Sequence, residues 1–297
     1  MTVDCRKNMT DNLENNLLPL GEVISKYGLS AKKSFGQNFL LDLNLTRKIA
    51  RQVPNLQNSN VLEIGPGPGG LSRALLMEGA KNLTVIEKDF RCEPILNEIS
   101  NAYPSRVTSF VGDAMALNMA DIMSDLNGSE NTPVQICSNL PYNIGTALLV
   151  KWMSGDVWPP YFSSLTLMFQ KEVAMRIVAK SNTKAFGRLS VLTNWRAKTR
   201  ILFDIPPSAF TPAPKVTSSV VQIIPTEPSV AGLKMENLAK LTEMAFGQRR
   251  KMLRASLKSL NFSEGELASI GLKGTERPEQ LAVETIAKLA LIYQGKL

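Results

Sequence analysis

Val61-Leu62-Glu63-Ile64-Gly65-Pro66-Gly67-Pro68-Gly69-Gly70 decides the fold. A short apolar strand runs into a glycine-rich turn, and Leu71-Ser72-Arg73-Ala74-Leu75-Leu76 then opens a helix. Glycines allow a sharp turn into a helix N-terminus and a close approach of the backbone to a ligand. Outward from this stretch, apolar strands and amphipathic helices alternate over 61–64, 71–77, 83–87, 92–99, 107–111 and 134–138. Such alternation predicts an α/β chain with a parallel, doubly wound sheet, whose ligands bind at the carboxyl ends of the strands. Gly65, Glu87, Asp113 and Asn139 all fall at those ends.

The residues at the strand ends narrow the ligand. Gly65, Gly67 and Gly70 match the dinucleotide fingerprint Gly-x-Gly-x-x-Gly, which is weak evidence alone. Glu63, just before the loop, suits a cationic amino-acid moiety and would repel a pyrophosphate. It also has a structural reading, as an acceptor that organises the glycine loop. Glu87 ends the strand Leu83-Thr84-Val85-Ile86, about twenty residues past the loop, where an acidic side chain binds ribose hydroxyls. Asp113 follows the strand Val107-Thr108-Ser109-Phe110-Val111 and could accept from an adenine amine. A cationic ligand bearing ribose and adenine fits better than NAD, and S-adenosylmethionine is such a ligand.

Asn139-Leu140-Pro141-Tyr142 follows the apolar run Val134-Gln135-Ile136-Cys137-Ser138. The Asn139 side-chain oxygen and the Leu140 carbonyl can both accept from an exocyclic amine, and Tyr142 offers a stacking face. For an isolated Asn-Leu-Pro-Tyr a loop without chemistry is the better explanation, but the motif does not stand alone, and a dehydrogenase that accounts for the glycine loop leaves Asn139 unexplained.

Together with Gln37-Asn38-Phe39-Leu40 and Gly112-Asp113-Ala114, these motifs occur in the order and spacing of the ribosomal RNA adenine dimethyltransferases. The chain resembles that family from about residue 33 to its C-terminus. Pro207-Ser208-Ala209-Phe210-Thr211-Pro212-Ala213-Pro214-Lys215-Val216 and Phe246-Gly247-Gln248-Arg249-Arg250-Lys251 resemble its bacterial small-subunit branch, rather than the antibiotic-resistance branch acting on 23S rRNA. The resemblance implies a Rossmann-like, S-adenosylmethionine-dependent methyltransferase sheet with a small all-helical C-terminal domain. It implies dimethylation of the N6 amines of two adjacent adenosines in a hairpin near the 3′ end of 16S rRNA, in small-subunit biogenesis. Asn139, Leu140, Tyr142 and Phe210 would be the catalytic set, with Phe210 placed opposite Tyr142 by the resemblance alone. Asn38, Leu40, Gly65, Glu87, Asp113 and Asn139 would hold the cofactor, Asn38 and Leu40 again on the resemblance alone, with Gln37 a further candidate beside them. An assembly or transcription factor that kept the fold but lost methylation is the rival from another class. The intact glycine loop and Asn-Leu-Pro-Tyr favour an enzyme.

The composition suits this reading. Among 297 residues 44% are hydrophobic, enough to bury a sizeable core. The net charge of +8 favours a polyanionic partner such as RNA. The chain has no histidine, which excludes Ser-His and Cys-His dyads and any His-ligated metal. Cys5, Cys92 and Cys137 are scattered without a Cys-x-x-Cys, so neither a disulfide framework nor a zinc site is expected. No apolar run approaches the ~18 residues of a membrane span, and the first residues fit neither a signal peptide nor an Arg-rich presequence. The expectation is a cytoplasmic monomer without a metal or a membrane contact.

Three regions are expected: a disordered leader over 1–19, the methyltransferase domain over 20–226, and a helical RNA-binding domain over 227–297. The polar, proline-bearing Pro225-Thr226-Glu227-Pro228-Ser229 marks the last boundary. Helices are also predicted at 20–27, 43–53, 146–153 and 171–179, and a strand at 165–170. Residues 201–203 and 218–224 read as a pair of strands closing the sheet. The C-terminal helices are expected at 236–246, 249–260, 264–270 and 283–293. In the second of these, Arg250, Arg254 and Lys258 would share one face opposite Leu253, Leu257 and Leu260. Arg249, Arg250, Lys251, Arg254 and Lys258 are the RNA-binding candidates; a solvated helix face is the bland alternative for the same charges.

Overall fold

The computed structural model describes residues 17–31, 36–127, 132–248 and 250–297. Most of the expected leader, Cys5 and the candidate Arg249 lie outside the described residues. In chain order the elements begin with α1 (Leu20–Lys26), β1 (Phe39–Leu40), α2 (Leu43–Ala50), β2 (Asn60–Ile64), α3 (Gly70–Met77) and β3 (Asn82–Glu87). Then come α4 (Glu93–Ala102), β4 (Val107–Val111), α5 (Met119–Asn127), β5 (Val134–Ser138), α6 (Gly145–Met153), β6 (Ser164–Gln170) and α7 (Lys171–Ile177). The rest are α8 (Arg188–Asn194), β7 (Ala197–Ile205), β8 (Phe210–Thr211), β9 (Ser218–Pro225), α9 (Met235–Gly247), α10 (Leu253–Ser256), α11 (Glu264–Ser269) and α12 (Val283–Gln294).

The chain divides into two compact units, one of residues 1–148, 161–171 and 202–222, the other of 149–160, 172–201 and 223–297. The seven-stranded sheet has the order β4-β3-β2-β5-β6-β9-β7. Parallel pairing joins β4 to β3, β3 to β2, β2 to β5 and β5 to β6. Every residue of β2 and β5 is buried, the burial expected of central strands in a parallel sheet. Leu62, Val85, Ile136, Leu75 and Leu76 lie in this interior at 1% exposure or less. Each such side chain contributes about 1.5–3 kcal/mol of burial. β1 and β8 form a separate antiparallel ribbon, with Phe39 opposite Thr211 and Leu40 opposite Phe210.

Local chemistry sets the element ends that matter for the site. The Asp42 side chain caps α2 by accepting from the N–H groups of Asn44 and Leu45. Gly69, at φ 82°, turns the chain into α3 in a backbone region that disfavours other residues. The parallel register sets Ile64 beside Ile86 and Glu87 beside Val111. The loops after β2, β3 and β4 therefore leave from one edge of the sheet.

The second unit draws on more than the C-terminal region expected beyond residue 226. It also takes up 149–160 and 172–201. The proline-bearing segment read as a linker is tied into this unit: Thr226 N–H donates to the Arg196 carbonyl, Ser229 N–H to the Trp195 carbonyl, and Trp158 Nε1 to the Thr226 carbonyl, each at 2.9 Å. Arg196 is itself buried, stacked 4.0 Å from the Trp158 ring centre and hydrogen-bonded to the Met153 carbonyl.

The helix expected over 249–260 is a correction. Only Leu253–Ser256 is α-helical, followed by a single 3-10 turn at Lys258–Leu260. Leu253 N–H donates to the Glu276 carbonyl at 2.9 Å and Arg254 N–H to the Gly274 carbonyl at 3.0 Å. Those donors are captured by a distant segment, so the helix cannot extend back to residue 249. Among the described residues no helix is long and apolar enough to cross a membrane.

Candidate active site

The carboxyl ends of the strands converge on one cavity within the first unit. Gly65, Glu87, Asp113 and Asn139 all line it, as do Asn38, Leu40, Leu140 and Tyr142. Gln37 and Glu63 line it too. The glycine loop forms its floor: Gly65, Gly67 and Gly69 have φ values of 68°, 55° and 82°. Gly65 N–H donates to the Ile86 carbonyl at 2.8 Å, pinning the loop to the end of β3. A Cβ on Gly70 would stand 2.6 Å from the Leu40 carbonyl oxygen, so this glycine is what lets β1 lie against the start of α3.

Glu87 is held by the loop it faces. Gly67 N–H donates to its Oε2 at 3.0 Å and Asp89 N–H to its Oε1 at 2.8 Å. Burial raises its pKa, and these two donors pull in the opposite direction. The carboxyl group keeps lone-pair capacity for a ligand hydroxyl. Glu63 is almost fully buried at 1% exposure. Its Oε2 accepts from the Ser72 hydroxyl at 2.6 Å, on the first turn of α3. Burial pushes its pKa up to about 8, the charge of Glu87 adding to the rise and the Ser72 bond opposing it. Both readings of Glu63 thus meet in the structure: it braces the start of α3 and lines the cavity.

Asp113 accepts from Met115 N–H at 2.9 Å and from Lys88 Nζ at 2.8 Å. Lys88 is a cavity residue that the sequence reading passed over, although it directly follows Glu87. Ser138 was passed over as well; its hydroxyl accepts from Ile64 N–H at 2.8 Å and locks β2 to β5 immediately before Asn139. Its position next to the motif was the available signal.

Asn139 Nδ2 donates to the Asn38 carbonyl at 3.1 Å. With the amide nitrogen engaged there, Oδ1 is the free end of the side chain. The Pro141 carbonyl accepts from Ile144 and Gly145 N–H at 3.1 and 3.0 Å, forming the turn into α6. The Tyr142 and Ser218 hydroxyls are 2.6 Å apart, which anchors the ring, and burial raises the Tyr142 pKa. Ser218 is a further partner that the sequence reading did not name. Phe210 stands apart from the other catalytic candidates: it is not among the cavity's lining residues, and at 3% exposure it packs in the core opposite Leu40. A tight β1–β8 pairing buries the ring that the resemblance sets against Tyr142.

The RNA-binding candidates belong to the second unit. Arg250, Lys251, Arg254 and Lys258 are exposed, Leu253 and Leu257 are buried and Leu260 is half-buried, without a continuous helix.

The cavity's chemistry suits a cationic nucleoside ligand. Two buried carboxylates, Glu63 and Glu87, border the glycine loop. Among the described lining residues Lys88 is the one cation, and it is paired with Asp113. A pyrophosphate would face Glu87 and meet no unpaired cation among the described lining residues. A parallel doubly wound sheet carrying this pocket and an Asn-Leu-Pro-Tyr turn at its strand ends defines a Rossmann-like methyltransferase. The sequence profile of the family described as ribosomal RNA adenine dimethylase matches residues 28–294, and the chain belongs to that family. It is 55% identical over 278 residues to ribosomal RNA small subunit methyltransferase A of Azorhizobium caulinodans, covering 93% of each chain. It is 52% identical over 276 residues to the protein of that name from Chelativorans sp. strain BNC1, covering 93% of this chain and 98% of the relative. A dimethyladenosine transferase structure from Plasmodium falciparum superposes with a TM-score of 0.70 at 24% identity, over 85% of this chain and 96% of the other. The 23S rRNA methyltransferase ErmE superposes at 0.63 with 22% identity, over 86% of this chain and all of the other, and shares the fold.

Proposed function

We propose that the protein dimethylates the N6 amines of two adjacent adenosines in a hairpin near the 3′ end of 16S rRNA, with S-adenosylmethionine as donor. The observation that carries this reading is the convergence of Gly65, Glu87, Asp113 and Asn139 on one cavity beside Tyr142. The name shared by relatives above 50% identity favours the small subunit over the large one. The same reading makes the protein a cytoplasmic monomer acting on the small ribosomal subunit.

Glu87 would hold the ribose hydroxyls, Asp113 the adenine amine of the donor, and Glu63 its cationic end. Asn38, Leu40 and Gly65 would enclose it. Bound there, S-adenosylmethionine supplies a methyl group on a sulfonium, already an excellent leaving group. The chain's own residues then have to aim the nucleophile. The N6 lone pair of adenine is delocalised into the ring, so the amine must be drawn towards a pyramidal shape. Asn139 Oδ1, set by the bond from Nδ2 to Asn38, and the Leu140 carbonyl would accept from the amine and orient its lone pair. Alignment of this kind is worth up to about 7–11 kcal/mol without a general base. The surplus proton can leave to water, which suits a chain with no histidine. Tyr142, anchored by Ser218, would stack on the extruded base for roughly 1–3 kcal/mol. Phe210 would supply the opposite face only once the β1–β8 ribbon opens. Arg249, Arg250, Lys251, Arg254 and Lys258 would track phosphates.

Mass-spectrometric mapping of 16S rRNA from a strain lacking the gene tests the reading. Loss of paired dimethyladenosines near the 3′ end, restored by the gene, is the expected result; an unchanged methylation pattern would overturn it.

A further inference from the structure

A second concave site lies wholly within the second unit. Asn182 and Lys184 from the turn between α7 and α8 line it together with Phe246, Arg250, Lys251 and Glu279. The groove measures about 990 Å³, room for a nucleotide-sized ligand. Its walls are fixed. Asn182 adopts φ 64° and its N–H donates to the Glu279 carbonyl at 2.8 Å, which locks the turn against the segment that follows α11. Phe246 is half-buried and its ring meets the buried Phe186 edge to face, with centres 5.9 Å apart.

The described lining of this groove carries more positive than negative charge. Lys184, Arg250 and Lys251 are exposed and, among the described residues, make no ion pair. Nearby Arg188 is paired with Glu243, and Lys288 and Lys296 each have a glutamate. Glu279 is the one carboxylate among the described residues of the groove, against three cations. A held aromatic ring, side-chain amides and flanking cations are the elements that recognise an unstacked base and the phosphates on either side of it. A paired duplex hides its base faces and could use only the cations.

We propose that this groove takes one unpaired nucleotide of an RNA strand, its base against Phe246 and the neighbouring phosphates on Lys184 and Lys251. The nucleotide is a distinct one from the adenosine proposed to enter the strand-end cavity. The proposal rests on the reading of the protein as an RNA methyltransferase. It adds a requirement for single-stranded RNA at a site that a basic helix face would not need.

Fluorescence anisotropy with the full chain tests it, using a short labelled oligoadenylate and a fully paired RNA duplex at several salt concentrations. Phe246→Leu should weaken the oligoadenylate about fivefold or more and leave the duplex and both salt slopes unchanged. Lys184→Ala should lower the log–log salt slope for the oligoadenylate by about 0.7. Lys184 stands on an exposed turn, so it carries the test alone should Phe246→Leu lose its fold by circular dichroism. An unchanged slope in Lys184→Ala, or a folded Phe246→Leu that keeps its affinity or loses it equally for both RNAs, overturns the proposal. Wild-type methylation of small ribosomal subunits, measured in parallel, separates the two levels. Methylation with unaffected variants removes only this groove, whereas absent methylation removes the functional reading beneath it.

Discussion

Glu63 couples the cavity to pH. Its pKa stands at about 8 in the folded chain against an ordinary 4.5. A carboxyl raised in this way stabilises the fold fully below pH 4.5, and that contribution is lost as pH rises towards 8. Near neutrality the group is therefore largely protonated. A cationic ligand beside it favours the charged form and must expel the proton. Affinity for S-adenosylmethionine should accordingly rise between pH 6 and pH 8, with about one proton released, as calorimetry in buffers of different ionisation enthalpy would show. Glu63→Gln should abolish both the pH dependence and the release; a Gln variant that retains them would place the proton elsewhere. Asn139 carries a different expectation. Asn139→Ala should cut turnover by about a hundredfold or more with a smaller effect on RNA affinity, since its proposed contact belongs to the transition state. Single-turnover kinetics that show near-normal rates at saturating substrates would remove it from the chemistry. At this scale the places of Gly65, Glu87, Asp113 and Asn139 on the cavity were legible, because each lies at or just after a strand end. Lys88, Ser138 and Ser218 were not, because their roles lie in partners supplied by other strands and loops.

Among the elements, the central strands could be read within a residue. β2 and β5 are buried on both faces, and apolar residues (Val61, Leu62, Ile64; Val134, Ile136, Cys137) dominate each. β7 is longer than the expected 201–203, since Lys198 and Arg200 give its first half an alternating, half-exposed character. α5 and α8 were passed over; in α5 only Met119 and Met123 are buried, a thin periodic signal. The helix expected at 249–260 failed for a tertiary reason, the capture of the Leu253 and Arg254 N–H groups by 274–276. The junction of β1 with α3 yields a prediction of its own. The Gly70 Cβ position is 2.6 Å from a backbone oxygen of Leu40, which cannot rotate away as a side-chain tip would. Gly70→Ala should cost about 1–3 kcal/mol in chemical denaturation and weaken cofactor binding through displacement of Asn38 and Leu40. Unchanged stability together with unchanged affinity would mean that β1 tolerates the shift.

Across the whole molecule, the two chemistries are assigned to different units. The strand-end cavity is built from residues of the first unit, and the RNA-binding candidates Arg250, Lys251, Arg254 and Lys258 belong to the second. The sequence reading placed the change of character near residue 226; that 149–160 and 172–201 join the C-terminal helices is a matter of long-range contact, since both segments lie far from those helices along the chain. Replacing Arg250, Arg254 and Lys258 together with Ala should weaken binding to the small subunit. It should also flatten the salt dependence by about 0.7–0.9 for each phosphate that is no longer neutralised. Cofactor affinity should stay unchanged, and a salt slope equal to the wild type would reduce these residues to solvated surface. The central claim is that the cavity methylates adenine in 16S rRNA. Its most direct test is to incubate purified protein and S-adenosylmethionine with small ribosomal subunits from a strain lacking the modification, then map the rRNA by mass spectrometry. Two adjacent N6,N6-dimethyladenosines near the 3′ end are expected, formed more slowly by about a hundredfold or more when Asn139→Ala replaces the wild type. Methyl groups found only elsewhere, or none at all with active cofactor, would contradict it.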